Sequence, residues 1–492
     1  LKLETVAKYI GADIASFRPA LLPVEVNHFV IDSREVQAGS VFFALSQPDY
    51  KNNCFNDEFA DSHKFVPSAF EKGAEVCIVR PDRFEEHRAI LEPFKDRLLF
   101  VNDAILALQH LAGGVYREWK KPVVAVTGSA GKTTAKSLIA DVLSSKYNIL
   151  TNIKNYNNGL GHPLTVLRLL TEGHFDAAVL EMGMSTPMNE IARLCRITPP
   201  DLSVVLNVFP VHVEHLGSIE NVAKAKAEIV EGMKDDGTAV LNADDHHVLA
   251  MRHLSKGNTL TYGIRNQADV MAENIRFERF GETEFTLVLH GKKVEVFFPL
   301  NGHHNILNAL SAASVGFDFG MSPEEIAEAL GNVQTPAQRG EVLQFKDGFT
   351  IINDSYNSNP DALLSMVKTL VEGGQRATRK VLVAGEMREL GAHAPGIHLE
   401  TGRKIAEIGI DALFGVEGLA EDLIQGAREK GLENVRFYEN SQVAAENLVH
   451  EIRPGDLILV KGSRGVRTEK IIEKILERHE LRSAEKVSTK QI

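Results

Sequence analysis

Cysteine is scarce. Cys54, Cys77 and Cys195 are the only three in 492 residues, far apart and with no C-x-x-C pair. That excludes a disulfide framework and a paired-cysteine zinc site, and fits a reducing compartment. Positive charge is also in deficit: 54 Lys and Arg against 66 Asp and Glu leave a net charge of −12. No broad basic surface for nucleic acid or anionic membrane is expected, and only a local basic pocket remains open. No apolar run approaches the roughly 18 residues of a membrane span. The opening LKLETVAKYIGADIA carries no apolar stretch ending in a small-residue cleavage site, so a cytoplasmic protein without membrane insertion is expected.

What is present is enough apolar material, 44% of the chain, for more than one core. Three zones separate by pattern. Residues 1–117 alternate short apolar runs such as VFFAL and EVCIVR with short helical stretches, and Leu3, Val6, Ala7 and Ile10 keep a helical spacing. Residues 118–332 turn to strand–loop–helix: VVAVTG, FDAAVLEMG, DLSVVLNVF and GTAVLNADD read as buried parallel strands. The more alternating stretch 276–299 reads as an antiparallel addition. Residues 333–492 restart the βα rhythm with FTIIND, RKVLVAGEM, DALFGVEG and GDLILVKGS, none followed by G-x-G-x-x-G. The expectation is an α/β protein of three domains. These are a small α/β N-terminal domain, a central P-loop mononucleotide-binding parallel sheet, and a C-terminal Rossmann-like domain. In the tail, Ile471, Ile472, Ile475 and Leu476 share one helical face that should dock on the last domain.

Within VVAVTGSAGKTTAKSLIA, a strand runs through a glycine turn into a helix. This is the setting of a phosphate loop, although Val126 stands where its first glycine is usual. Backbone N–H groups from Gly128 to Lys132 and the helix N-terminus should gather around an anion. The whole turn, Thr127, Gly128, Ser129, Ala130, Gly131, Lys132, Thr133 and Thr134, is assigned to nucleotide binding. Lys132 offers a mobile charge to the outer phosphates and Thr133 a hydroxyl to Mg²⁺. Ligands of open α/β sheets collect at the carboxyl ends of strands. Glu181 ends FDAAVLE and His212 follows DLSVVLNV, so both are expected near the phosphates as metal ligands. Lys226 in KAKAEI reads, from the residue alone, as a solvated lysine on an amphipathic helix.

Five stretches, TGSAGKTT, EMG, HVEHLGSIENVAKAKAEI, LNADD and NGHHNILNALSAAS, together resemble the Mur ligases, ATP-dependent enzymes that add amino acids to the cell-wall precursor. That family's phosphate loop has the compact T-G-x-x-G-K-[ST] form, which accounts for Val126. DSYNSNPDAL, GEMRELG, VIDSREVQAGSVFFAL and NYNNGLGHP resemble the members that join D-alanyl-D-alanine to UDP-N-acetylmuramoyl-tripeptide. The D-Y-A-H-x-P of the sister that adds the third residue is missing.

The resemblance implies roles. Lys132 and Thr133 handle ATP and one Mg²⁺; Glu181, His212 and a carbamylated Lys226 serve a second. His304, Asn305 and Asn308 lie beside adenine, Arg339 near the phosphates, and Asp354, Tyr356 and Asn357 over the ribose and base. Asp32, Ser33 and Arg34 meet the uridine end, and Asn155, Asn157 and Asn158 the growing substrate. Lys461, Ser463 and Arg464 match a C-terminal motif. It further implies a monomer serving peptidoglycan synthesis, and through it cell shape and division. Two departures stand out. SQPDYKNNCFNDEFADSHKF is longer than the family's equivalent loop, and in NYNNGLGHP an acidic residue is replaced by Gly159 and a Val/Ile by His162. The third residue of the tripeptide, a diamino acid or lysine, stays open.

Overall fold

The computed structural model describes residues 1–55, 58–153, 155–184, 189–209, 218–279, 282–333, 338–388 and 390–482. Its strands form three sheets. The first is four-stranded, parallel and in chain order: β1 (His28–Val30), β2 (Ser40–Phe43), β3 (Val76–Val79) and β4 (Leu98–Phe100). Helix Leu3–Ile10 forms as its spacing predicts, with Leu3, Val6, Ala7 and Ile10 buried and Gly11 closing it in the left-handed conformation.

The second sheet has a parallel core of β5 (Val123–Thr127), β6 (Ile149–Thr151), β7 (Ala177–Glu181), β8 (Leu202–Val205) and β9 (Thr238–Asn242). It continues through β10 (Asn258–Gly263) into β11 (Val270–Arg279), β12 (Glu282–Leu289) and β13 (Lys292–Phe298). The order is β13-β12-β11-β10-β9-β8-β5-β7-β6. The pairs β11–β12 and β12–β13 are antiparallel, as the alternating pattern predicts. Strands β5, β7, β8 and β9 are buried at every position, which is why they read as unbroken apolar runs. From the neighbours β5 and β8 the chain leaves toward opposite edges of the sheet. That reversal opens a crevice at their carboxyl ends.

The third sheet is β14 (Glu341–Gln344), β15 (Thr350–Asp354), β19 (Asp456–Lys461), β16 (Arg379–Gly385), β17 (Ala412–Val416) and β18 (Val435–Tyr438), in that order, with β14 antiparallel. Two apolar clusters cover it, one containing Phe345, Ile458 and the tail residues Ile471, Ile472 and Ile475, the other Leu363, Val367 and Leu459. The tail helix Glu469–Leu476 therefore docks as expected, except that Leu476 is exposed: the buried stripe ends with Ile475.

By compactness the chain divides into two units. The first comprises Leu1–Lys136, Leu143–Pro210 and Ser218–Thr261, the second chiefly Tyr262 onward. Cys54, Cys77 and Cys195 are all free thiols, as their spacing predicts. Among the described residues, no helix is long and apolar enough to cross a membrane.

Candidate functional site

In the first unit, β5 delivers the chain into the turn 127–131 and the start of helix Lys132–Ser144, whose residues up to Lys136 belong to this unit. The compact loop has a steric basis. A Cβ on Gly128 would stand 2.9 Å from the Leu206 Cβ, and Gly131 adopts φ +80°, a conformation that costs other residues about 1 kcal/mol or more. Thr127 Oγ1 donates to the Met182 carbonyl at 2.9 Å, fixing the loop to the end of β7. Not all the expected anion donors are available. Ser129 N–H donates to the Asn207 carbonyl at 3.0 Å and Ala130 N–H to Asn207 Oδ1 at 2.8 Å, while Asn207 Nδ2 returns a bond to the Ala130 carbonyl at 3.0 Å. The expectation for those two N–H groups is thus corrected: Asn207, the crevice residue after β8, uses them to hold the loop. Lys132 Nζ folds back onto the Gly128 carbonyl at 2.9 Å, and Thr134 is buried.

Glu181 stands at the end of β7 as predicted, and its carboxylate is held from two sides. Thr133 Oγ1 donates to Oε2 at 2.7 Å and Asn157 Nδ2 to Oε1 at 2.8 Å. The nucleotide turn and the asparagine-rich loop are thereby joined through one carboxylate. Asn152, which the sequence did not single out, supports it: its Oδ1 accepts from Glu181 N–H at 2.6 Å, and its carbonyl accepts from buried Lys136 Nζ at 3.1 Å. Asn158 Oδ1 is spent accepting from Leu160 and Gly161 N–H at 3.1 and 2.9 Å, so it shapes the loop. Asn155 is exposed.

Lys226 overturns the reading of the residue alone. Its helix, Ile219–Glu231, is buried nearly all round from Ala225 to Val230, and Lys226 is only 3% exposed. Burial pushes its ammonium down to about 7, and the charge of Lys132 adds to the effect. No described residue hydrogen-bonds its Nζ. His212 lies outside the described residues. Among the described residues no group of three His, Cys, Asp or Glu side chains could hold a metal. The hydroxyl, amide and carboxylate oxygens of Thr133, Asn157 and Glu181 are nevertheless the hard donors Mg²⁺ takes. The predicted uridine-side group follows β1. Arg34 forks onto the Asp32 carboxylate at 2.6–3.0 Å and holds its pKa below the ordinary value, and Lys72 Nζ donates to the Ser33 carbonyl at 2.8 Å.

In the second unit, helix His303–Asp318 presents His304, Asn305 and Asn308. Burial first, then the charges of Lys461 and His303, push His304 down to about 4. Ser365 Oγ lies 3.2 Å from its Nδ1, and Asn305 Nδ2 donates to the Asn301 carbonyl at 2.8 Å. The carboxyl ends of β15 and β19 meet where Lys461 Nζ donates to Asp354 Oδ2 at 2.5 Å and to the Asn357 carbonyl at 2.9 Å. Arg339 lies over the Tyr356 ring at 4.1 Å, with Arg464 on the same ring at 5.8 Å. Ser463 Oγ accepts from Arg388 N–H at 2.9 Å. Of the second predicted group, Arg339, Asp354, Tyr356, Asn357, Lys461 and Arg464 are thus brought together at the carboxyl edge of the third sheet, with His304 within reach of the Lys461 charge. The Asn305 amide and the Asn308 carbonyl bond instead within their own helix and its lead-in.

A phosphate turn at a sheet crevice, with an acid at the next strand end and a buried near-neutral amine beside it, defines an enzyme that handles phosphoryl groups. Comparisons with known proteins narrow this. Residues 126–316 match the Mur ligase middle domain and residues 338–464 the Mur ligase, glutamate ligase domain. The UDP-N-acetylmuramoyl-tripeptide–D-alanyl-D-alanine ligase of Bacillus subtilis is 32% identical over 96% of this chain and 98% of that protein. Among solved structures, MurF from Acinetobacter baumannii has a TM-score of 0.83 at 26% identity, covering 97% and 99% of the two chains. MurF from Thermotoga maritima in complex with ADP has a TM-score of 0.77 at 27% identity, covering 92% and 97%. The chain belongs to the Mur ligases. It is an ATP-dependent ligase of cell-wall precursor synthesis.

Proposed function

We propose that this ligase joins D-alanyl-D-alanine to UDP-N-acetylmuramoyl-tripeptide in the cytoplasm, as a monomer. The observation that carries the reading is the Thr133–Glu181–Asn157 bridge, which ties the nucleotide turn to the loop assigned to the growing peptide. The signatures DSYNSNP and GEMRELG, and the uridine-side stretch after β1, support it.

A carboxylate is a poor electrophile because oxide would be its leaving group. In the proposed sequence the tripeptide carboxylate oxygen attacks the γ-phosphorus of ATP, the bond to the bridging oxygen breaks, and ADP leaves. The dipeptide amine then attacks the acyl carbon, phosphate departs and the amine loses its proton. Lys132 offsets the negative charges that approach one another in the first step. Thr133, Glu181 and His212 would hold Mg²⁺, which when bound offsets further phosphate charge. Lys226 fits carbamylation. A buried amine titrating near 7 is largely unprotonated at slightly alkaline pH, and that form adds CO₂ to give an anionic oxygen donor. His304, Asn305, Asn308, Arg339, Asp354, Tyr356 and Asn357 are assigned to the nucleoside, and Asp32, Ser33 and Arg34 to the uridine end.

The test is ADP release with each substrate omitted in turn. Release that needs both the UDP-tripeptide and D-alanyl-D-alanine is the expected result. Equal release with either absent removes the reading in favour of simple nucleotide hydrolysis.

A further inference from the structure

The long segment of the first zone and the unusual Gly159 meet in the first unit. Gly159 donates its N–H to Glu190 Oε1 at 3.3 Å, and its carbonyl accepts from Gln109 Nε2 at 2.9 Å. A Cβ at this position would stand 3.1 Å from Gln109 Nε2 and 3.3 Å from both Phe55 Cζ and Arg193 Nη1. The space an acidic side chain would need is therefore taken by Phe55, brought in by the longer segment, and by Arg193 from helix Glu190–Ile197.

Arg193 is seated on a fixed wall. Its Nη1 donates to the Asn53 carbonyl at 3.1 Å and its guanidinium lies 5.7 Å from the centre of the Phe55 ring. Asn53 is itself tied by Nδ2 to both oxygens of Asp103, at 3.1 and 2.9 Å. Tyr50 packs between Phe55 and Phe59, with ring centres 5.6 and 4.5 Å away. Both partners of the guanidinium are neutral. Among the described residues its remaining N–H donors meet no protein acceptor. A planar fork, half-buried and already oriented, is suited to a bidentate carboxylate.

Resting on the assignment of Asn155, Asn157 and Asn158, the residues leading into Gly159, to the growing peptide of the precursor, we propose that Arg193 is a specificity-determining residue. It reads a carboxylate at the end of that peptide. The chain then selects a tripeptide whose third residue is a diamino dicarboxylic acid over one that carries lysine. A lysine side chain offers an ammonium and no second carboxylate, so it gains nothing from a guanidinium and is repelled by it. An acid at 159 would have neutralised Arg193; Gly159 leaves its charge to the substrate.

The experiment measures kcat/KM with the two precursors at saturating ATP and D-alanyl-D-alanine, for the wild type, Arg193→Gln and Arg193→Lys. The wild type should favour the dicarboxylate precursor by about tenfold or more, the effect of roughly one well-placed charged contact. Arg193→Gln should bring the ratio near one, through a raised KM for the dicarboxylate precursor rather than a lowered kcat. Arg193→Lys should restore part of it. No discrimination by the wild type, or an equal loss on both precursors in the variants, overturns the proposal and leaves Arg193 as a fastener of the 46–65 segment. If neither precursor supports ADP release, the ligase reading itself fails; equal release with both sinks only the selectivity.

Discussion

Glu181 and Lys226 show how unevenly single residues can be read. Glu181 was legible because a strand end in a parallel sheet is a place with chemical meaning, and the Thr133 and Asn157 bonds bear the position out. Burial of Lys226 was not legible from its neighbours, since an alanine-rich helix with interspersed charges reads as one solvated face. Glu228 explains part of the difference. It is buried because its carboxylate accepts from Asn189 N–H at 2.8 Å and Ala192 N–H at 3.0 Å, capping the next helix. The low pKa of Lys226 has a stability consequence with a definite sign. In the unfolded chain the ammonium keeps its proton to about 10.5, whereas the folded protein releases it near 7. Between those values the unfolded state binds more protons, so stability rises with pH, by up to about 1.4 kcal/mol per unit, and the penalty is fully present below 7. Urea unfolding in CO₂-free buffer should show this slope in the wild type and lose it in Lys226→Met. An identical slope in both would contradict the assignment. Glu181→Gln should keep the Thr133 and Asn157 contacts sterically possible yet lower kcat by about 10²-fold or more, the scale of losing one preorganised charge at the reacting groups. Unaltered turnover would place the chemistry elsewhere.

At the scale of elements, the buried central strands were readable and the short ones were not. β1, β4 and β6 have three residues each, too few to show a period, and β14 and β18 are only partly buried. Their pairing is set by neighbours already in place. The nucleotide turn was found by its glycines, but its clamp, Asn207, sits in another segment and carries no local signal. Asn207→Ala removes both side-chain bonds to Ala130 while leaving the Ser129 bond to the carbonyl of residue 207, and should raise KM for ATP several-fold, with about 1–3 kcal/mol lost from stability. Calorimetric titration with ATP checks the first and urea melts the second. The tail helix was legible from its apolar spacing up to Ile475. Ile472→Ala should cost about 2–4 kcal/mol by opening a cavity against the third sheet, whereas Leu476→Ala, on an exposed side chain, should cost under about 0.5 kcal/mol.

Across the whole molecule, the three sheets correspond to the three zones of the pattern, and the order of motifs matches a family that the comparisons then showed. The zone limits at 117/118 and 332/333 are our proposal; compactness alone groups the first sheet with the parallel core of the second. Lys132, Thr133, Glu181, Asn157 and Lys226 lie in the first unit, and the residues proposed for the nucleoside, from His304 to Asn357, lie in the second together with Lys461. What sequence could not supply was the joint meaning of the long 46–65 segment, Gly159 and Arg193, because each looks incidental until packing puts them within van der Waals reach. The most direct test of the central claim follows the oxygen atoms. With the terminal carboxylate of the tripeptide labelled in both oxygens, one label should appear in the inorganic phosphate released and one should stay in the new amide. Phosphate without label would show that the carboxylate never bonded to phosphorus, and the proposed chemistry would be wrong.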